Sequence, residues 1–288
     1  MSESADLLVS PSALAPELVA ADSPTLLDVR WRLGGPSRRD EYAVGHLPGA
    51  VFVELDELCG PAGVGGRHPL PDPVTLRDVL RAAGVRAEHP VVVYDGGEGL
   101  PAARLWWTLR WAGHRQVRIL DGGYPAWRAA GLLISTDLPE PVPGDIEIRP
   151  GALPVLDART AADLAVDADA VLIDARAPER FRGETEPIDP VAGHIPGAVN
   201  LPANELTGAE GRWPDADDLR SRFARVGVAP EVRVGAYCGS GVTAAHTVFA
   251  LHLAGRLDAA LYVGSWSDWV TDPSRPVATG PADESPAT

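Results

Sequence analysis

The chain has 288 residues, 45% of them apolar, enough to build one or two packed domains. Its formal net charge of −15 argues against nucleic acid or an anionic membrane as a partner. It contains no lysine, so its 25 basic residues are all arginine, which excludes a Schiff-base lysine and a Walker-type phosphate loop.

The opening, MSESADLLVS, lacks the basic-then-apolar pattern of a secretory signal. Residues 1–24 read as a ragged start with one short helix around Pro16 to Ala20. Thr25 to Arg30 is an apolar run ending in charge, a strand. A polar loop, Trp31 to Asp40, leads into the turn Tyr42 to Ala50 and a short strand, Val51 to Glu54. A Gly/Pro-rich loop runs from Gly60 to Pro73. Thr75 to Ala83 reads as a helix with Gly84 as its stop. Val91 to Tyr94 is a buried strand, and Ala102 to Ala112 is a helix rich in tryptophan. Trp106, Trp107 and Trp111 are most simply core. Arg118 to Leu120 is a strand, followed by a turn and short helix, Asp121 to Gly131.

Ser135 to Gly151 is polar and holds four prolines, the composition of a linker. The spacing predicts a domain over 1–138, a linker over 139–151 and a second domain over 152–288.

After the linker the same order of features returns. Val171 to Arg176 echoes Thr25 to Arg30. Gly193-His194-Ile195-Pro196-Gly197-Ala198 echoes Gly45-His46-Leu47-Pro48-Gly49-Ala50. Val232 to Gly255 echoes Val91 to Gly113, and Leu261 to Trp269 echoes Leu120 to Trp127. These offsets, roughly 140–150 residues, match one domain length and indicate a tandem duplication. Alternating strands and helices predict an α/β fold of two tandem domains, each a mostly parallel sheet flanked by helices.

The chemistry concentrates in Val232 to Gly255. A strand through Tyr237 is followed by Cys238 and then by a helix with Val242, Ala245, Phe249 and Leu253 at helical spacing. Cys238 therefore sits on a tight turn at a helix N-terminus. The turn Gly239-Ser240-Gly241-Val242-Thr243 can point backbone N–H groups at the sulfur, and the helix terminus adds partial positive charge. Both favour a nucleophilic thiolate. A free cysteine is more often a buried packing residue, but the two glycines of this turn favour the chemical reading. In the first half the matching turn is Asp95-Gly96-Gly97-Glu98-Gly99. An anion-cradling loop is not expected to carry two carboxylates, so the first half is expected to be catalytically silent. Cys59 has no comparable turn. Two cysteines give no disulfide framework and suggest a reducing cytoplasm. The seven histidines lack ligand spacing, so no metal is expected. His46 and His194 occur in both halves alike, which argues for a structural role.

These motifs resemble the two-domain rhodanese-type sulfurtransferases over nearly the whole chain. HLPGA and HIPGA are similar to the family's N-terminal signature, and Tyr262 to Trp269 (YVGSWSDW) to its C-terminal one. The loop CGSGVTA, Cys238 to Ala244, resembles the form found in 3-mercaptopyruvate sulfurtransferases, whereas thiosulfate-preferring rhodaneses more often carry a basic CRKGVTA loop. The resemblance implies a sulfur relay. Cys238 takes a sulfur from the donor as a persulfide and passes it to an acceptor such as cyanide, a thiol or thioredoxin. No cofactor is implied.

By the same resemblance, Arg180 in Glu179-Arg180-Phe181-Arg182-Gly183 matches the substrate arginine, able to hold a carboxylate by two hydrogen bonds. Relatives of the mercaptopyruvate type often carry a second arginine about nine residues on. Here Glu184 to Asp189 has none, and Arg182 is the expected substitute. Asp56 and His68 resemble polar positions facing the catalytic loop, where they would orient donor or move a proton. Their plainer reading is loop stabilisation. The runner-up functions are a thiosulfate:cyanide sulfurtransferase and a non-catalytic sulfur-carrier or regulatory module. A cysteine phosphatase needs Cys-x5-Arg, but Ala244 stands where that arginine belongs.

Overall fold

The strands fall into two parallel sheets of identical order in the computed structural model, which describes residues 7–282. In the first sheet β1 (Leu8–Val9), β2 (Thr25–Asp28), β3 (Val51–Phe52), β4 (Val91–Tyr94) and β5 (Val117–Leu120) are ordered β1-β5-β4-β2-β3. In the second, β6 (Val155–Leu156), β7 (Ala170–Asp174), β8 (Val199–Asn200), β9 (Arg233–Tyr237) and β10 (Ala260–Tyr262) are ordered β6-β10-β9-β7-β8. The central strands β4 and β9 each pair with a neighbour on both sides. All four residues of β4 are buried, as an apolar run covered on two faces requires.

The helices of the first half are α1 (Pro11–Glu17), α2 (Arg39–Val44), α3 (Pro73–Ala82), α4 (Leu100–Trp111) and α5 (Gly123–Ala129). Those of the second are α6 (Ala158–Ala165), α7 (Pro178–Phe181), α8 (Ala216–Ala224), α9 (Val242–Leu253) and α10 (Ser265–Trp269). The α/β reading with two mostly parallel sheets therefore holds. The helix expected at Pro16 to Ala20 instead begins at Pro11, because Ser10 caps it by accepting the Ala13 N–H and Pro11 suits the first turn. Before it, Leu8–Val9 forms an edge strand on β5 rather than a ragged start.

Neither α4 nor α9 shows the single apolar stripe of a surface helix. In α9 every residue but Thr243 is buried, including His246, Thr247 and His252. Trp106, Trp107 and Trp111 are all buried in α4, with Trp107 and Trp111 stacked at 6.2 Å.

The chain divides into two compact units. One holds the chain up to Gly60, Leu70–Leu153 and Gly208–Trp213. The other holds Pro61–Pro69, Pro154–Thr207 and the chain from Pro214. Each unit thus includes a short segment from the other half of the sequence. Residues 140–149 form neither helix nor strand and are tied along the first unit. Gly144 donates to Arg81 O, Ile146 to Val85 O and Arg149 to Ala112 O.

The duplication reaches into side-chain detail. Arg30 pairs with Asp28 and donates to Gly45 O at 2.8 Å, and Arg176 pairs with Asp174 and donates to Gly193 O at 2.6 Å. His46 stacks on Tyr42 and binds Tyr42 O through Nδ1, while His194 stacks on Phe181 and binds Phe181 O. Both histidines hold their turns.

Candidate active site

Cys238 follows the central strand β9 at its carboxyl end, where ligands bind in open parallel sheets. The residue is 2% exposed. The Gly241 N–H donates to its Sγ at 3.2 Å. Gly241 caps α9 with φ of 80°, a left-handed conformation that glycine adopts without strain. Two further contacts clamp the turn. The Cys238 N–H donates to Ser265 Oγ at 3.1 Å, and Cys238 O accepts from the Trp266 N–H at 2.9 Å. Ser265 itself carries φ of 53°, unusual for a residue with a side chain. Sequence reasoning passed over it within YVGSWSDW.

Ser240 is buried, with its Oγ 2.8 Å from His68 Nδ1. Val242 is buried in the first turn of α9, and Thr243 is half-buried there. Of the predicted residues, His68 and Arg180 thus meet the Cys238 loop. A methyl group placed on Gly239 would lie 3.6 Å from Arg180 Nη2. Arg180 is fixed by Glu186, to which its Nη2 donates at 2.6 Å and its Nε at 3.1 Å, and by Asp189 at 3.3 Å. Burial pushes the Glu186 carboxyl up, but hydrogen bonds from Arg180 and from the Asp189 and Ile188 amides outweigh it and hold it below its usual range.

Arg182 goes elsewhere. It pairs with Glu184 at 2.7 Å and lines a surface hollow with Phe181, Val199 and Asn200. Its place beside Gly239 is taken by Arg67, whose Nη2 would lie 2.9 Å from a methyl there. Asp56 belongs to the first unit, accepts from Trp31 Nε1 at 3.2 Å and lines a hollow with Arg30 and Arg38. Arg67 and Asp189 are the functional candidates the sequence reading missed. The available signal was Gly63, Gly65 and Gly66 just before Arg67, a run suited to close backbone approach.

The matching loop of the first half overturns one expectation. It does cradle an anion, and that anion is its own Asp95. The carboxylate accepts from Gly97 at 2.8 Å and from Gly99 and Ala102 at 3.2 Å each. Two carboxylates are compatible because only Asp95 enters the cradle, while Glu98 stays half-exposed. Burial raises the Asp95 carboxyl to about 6 despite these amides. Cys59 ends a short 3₁₀ turn, with burial pushing its thiol up.

The rhodanese-like domain family matches residues 12–130 and again 156–272. The chain belongs to the rhodanese family. A Pseudomonas aeruginosa relative, named provisionally as a 3-mercaptopyruvate sulfurtransferase, is 47% identical over 95% of this chain and 98% of its own. A Mycobacterium tuberculosis relative, SseB, named provisionally as a thiosulfate sulfurtransferase, is 46% identical over 96% and 98%. Among solved structures, SseA from Escherichia coli, described as a 3-mercaptopyruvate sulfotransferase of rhodanese fold, is 33% identical with a TM-score of 0.80. That match covers 90% of this chain and 98% of SseA. Within the rhodanese pair, the second domain carries the cysteine and the first the carboxylate. No helix among the described residues is long and apolar enough to cross a membrane.

Proposed function

We propose that the protein is a sulfurtransferase that carries sulfur from 3-mercaptopyruvate to a thiol acceptor through a persulfide on Cys238. The observation that carries this reading is the Cys238 sulfur at the Gly241 amide and the α9 N-terminus, with the Arg180 guanidinium beside Gly239. The amide and helix terminus stabilise negative charge on Sγ of the thiolate, before sulfur uptake and again once the outer sulfur has left.

In the first step the Cys238 thiolate attacks the donor sulfur. The S–S bond forms, the C–S bond breaks, and the electron pair leaves on the enolate of pyruvate. The donor's thiol proton passes to that carbon, leaving an ionised persulfide. His68 with Ser240 is placed beside the loop to carry that proton. In the second step a thiol acceptor takes the outer sulfur and the Cys238 thiolate returns. Cyanide, a small thiol and thioredoxin are the acceptors of this reading.

Local charge favours a monoanionic donor. The cluster beside the loop joins Arg67, Arg176 and Arg180 to Asp174, Glu186 and Asp189, three charges of each sign. Such a cluster offers directional N–H donors without net positive charge, which suits a carboxylate better than a thiosulfate dianion. Thiosulfate is the second reading, favoured by the name of the M. tuberculosis relative.

The catalytic part is the second domain, with the first silent because Asp95 fills its cradle. The two free cysteines accord with work in a reducing cytoplasm. The test is donor-treated protein weighed intact, with kcat/KM for both donors measured side by side. One added sulfur atom on wild type, none on Cys238→Ser, and preference for 3-mercaptopyruvate are expected. A turning-over Cys238→Ser enzyme refutes the mechanism, and preference for thiosulfate refutes the donor.

A further inference from the structure

We infer that an uncharged apolar rim beside the Cys238 loop is a docking surface for a protein acceptor, one that presents its reactive cysteine from an apolar, uncharged face. This rests on the reading of Cys238 as the sulfur carrier and names the surface that the second half of the reaction uses.

Two stretches of the second unit form the rim. Residues 61–66, Pro-Ala-Gly-Val-Gly-Gly, hold no charged residue, and residues 187–193 hold only Asp189, which is buried. Pro61, Ala62 and Val64 are exposed in the first stretch, and Ile188, Pro190 and Val191 in the second. Val64 is 100% exposed, at the tip of a hairpin that Gly63 and Gly66 close with N–H to carbonyl bonds of 3.0 Å in both directions. Both stretches pack on the start of α10. Gly66 runs so near it that a methyl there would lie 2.5 Å from Gly264 O, and Val191 O accepts from Trp266 Nε1 at 2.8 Å. The Arg67–Asp189 ion pair ties one stretch to the other.

The same helix holds the reacting loop. The Trp266 N–H donates to Cys238 O and the Ser267 N–H to Gly239 O, each at 2.9 Å. The rim and the sulfur are thus fixed to one frame, and a partner seated on the rim keeps a set position relative to Cys238 without ordering a loop first.

A single exposed valine needs no explanation, but six exposed apolar residues on two joined stretches mark an interaction surface. Three observations point to a protein that carries a thiol. The surface adjoins the sulfur carrier, whose second step consumes a thiol. Cys238 is 2% exposed, so a protein's thiol has to enter from a projecting loop, with the surface around that loop braced outside. The chain as a whole carries −15, yet the rim is uncharged and the cluster beside it has three charges of each sign. Here an acidic or neutral partner comes close without the repulsion it meets elsewhere on the chain.

The test compares two dithiols, thioredoxin and dithiothreitol, that release the sulfur by the same chemistry. One thiolate attacks the outer sulfur, and the Cys238 S–S bond breaks with its electron pair returning to Sγ. The second thiol then displaces hydrosulfide as the dithiol closes to a disulfide. In Val64→Asp, KM for thioredoxin is expected to rise about tenfold, the scale of one valine side chain kept from burial. KM for dithiothreitol and the loading of sulfur from the donor should stay unchanged. Val191→Asp should act as Val64→Asp does. Val166→Asp, at an exposed valine that ends α6 on the opposite side of the second sheet, should alter neither dithiol. An unchanged thioredoxin KM in Val64→Asp overturns the inference, as does an equal rise for both dithiols, which marks a merely loosened loop. Wild type that turns over with dithiothreitol but not with thioredoxin overturns it too. So does self-association of wild type that Val64→Asp abolishes at unchanged thioredoxin KM, which gives the rim to a second copy of this chain. Binding of reduced thioredoxin to Cys238→Ser protein supplies a readout without sulfur transfer. If Val64→Asp weakens that Kd about tenfold in a protein whose wild type never loads sulfur, the docking surface stands and the sulfur-carrier reading fails.

Discussion

Gly96 and Gly239 occupy the same place in the two halves, one residue beyond Asp95 and Cys238, and opposite charges lie over them. A methyl on Gly96 would meet Glu98 Oε2 at 2.9 Å, whereas one on Gly239 would meet Arg67 Nη2 at 2.9 Å. Duplication preserved the turn, and a few side chains reversed its electrostatics. One half presents a carboxylate where the other presents two guanidinium groups.

This contrast sets the outcome of Asp95→Cys. The first-half loop is one residue longer before its capping glycine, and the Glu98 carboxylate repels both a thiolate and an anionic donor. Donor-treated Asp95→Cys should therefore carry one sulfur per chain in intact mass spectra, on Cys238. A second sulfur on residue 95 would show that the first half is silent for lack of a thiol alone.

Asp95 also makes stability depend on pH in an unusual direction. Burial raises its carboxyl to about 6, above the ordinary 3.8, so the folded protein binds this proton more tightly than the unfolded chain. The resulting stability is complete below about pH 4 and is lost as pH rises through 6. The difference amounts to on the order of 2–3 kcal/mol. Asp95→Asn, which cannot ionise, lacks this loss. Urea unfolding of both proteins between pH 4 and 7 should show the variant gaining on wild type as pH rises. A pH-independent difference would contradict the assignment.

Arg180→Ala removes a guanidinium that lies near the loop and is fixed by Glu186 and Asp189. For 3-mercaptopyruvate, kcat/KM should fall about ten- to a hundredfold, mostly through KM, if the arginine grips ground and transition states alike. Folding should survive, since Glu186 keeps Arg176 at 3.3 Å. Steady-state kinetics with unchanged KM would remove Arg180 from the donor site.

Gly239→Ala separates space from fold. The methyl would press on the tip of the Arg67 side chain, which can swing away, and the position does not carry a positive φ. Thermal unfolding should move little, within the few tenths of a kcal/mol common for mild substitutions. KM for the carboxylate donor should rise as the two arginines are forced apart. A normal KM would show that the donor is held elsewhere.

Much of this molecule was legible in the sequence. Repeated apolar runs, paired HLPGA and HIPGA turns and the glycines around Cys238 are local signals. Strand burial, turn geometry and a helix start are decided within a few residues. Those signals sufficed for two parallel α/β domains and for the cysteine at the end of a central strand. The edge strand Leu8–Val9 escaped notice because two residues have no period, and only pairing with β5 makes them a strand.

The site's cations were decided by tertiary structure. Arg180 and Arg182 are two residues apart and look equivalent as letters, yet one turns to Glu186 and the other to Glu184. Arg67 lies 122 positions before Asp189, and only the folded chain closes that distance. The Asp95 cradle has the same origin. A carboxylate in a glycine turn reads as a charge that repels anions, until the fold aims three amides at it and makes it the anion. Composition and spacing record which groups are present. Whether a charge is solvated, paired or buried among N–H donors depends on neighbours distant in sequence, and that environment sets its chemistry.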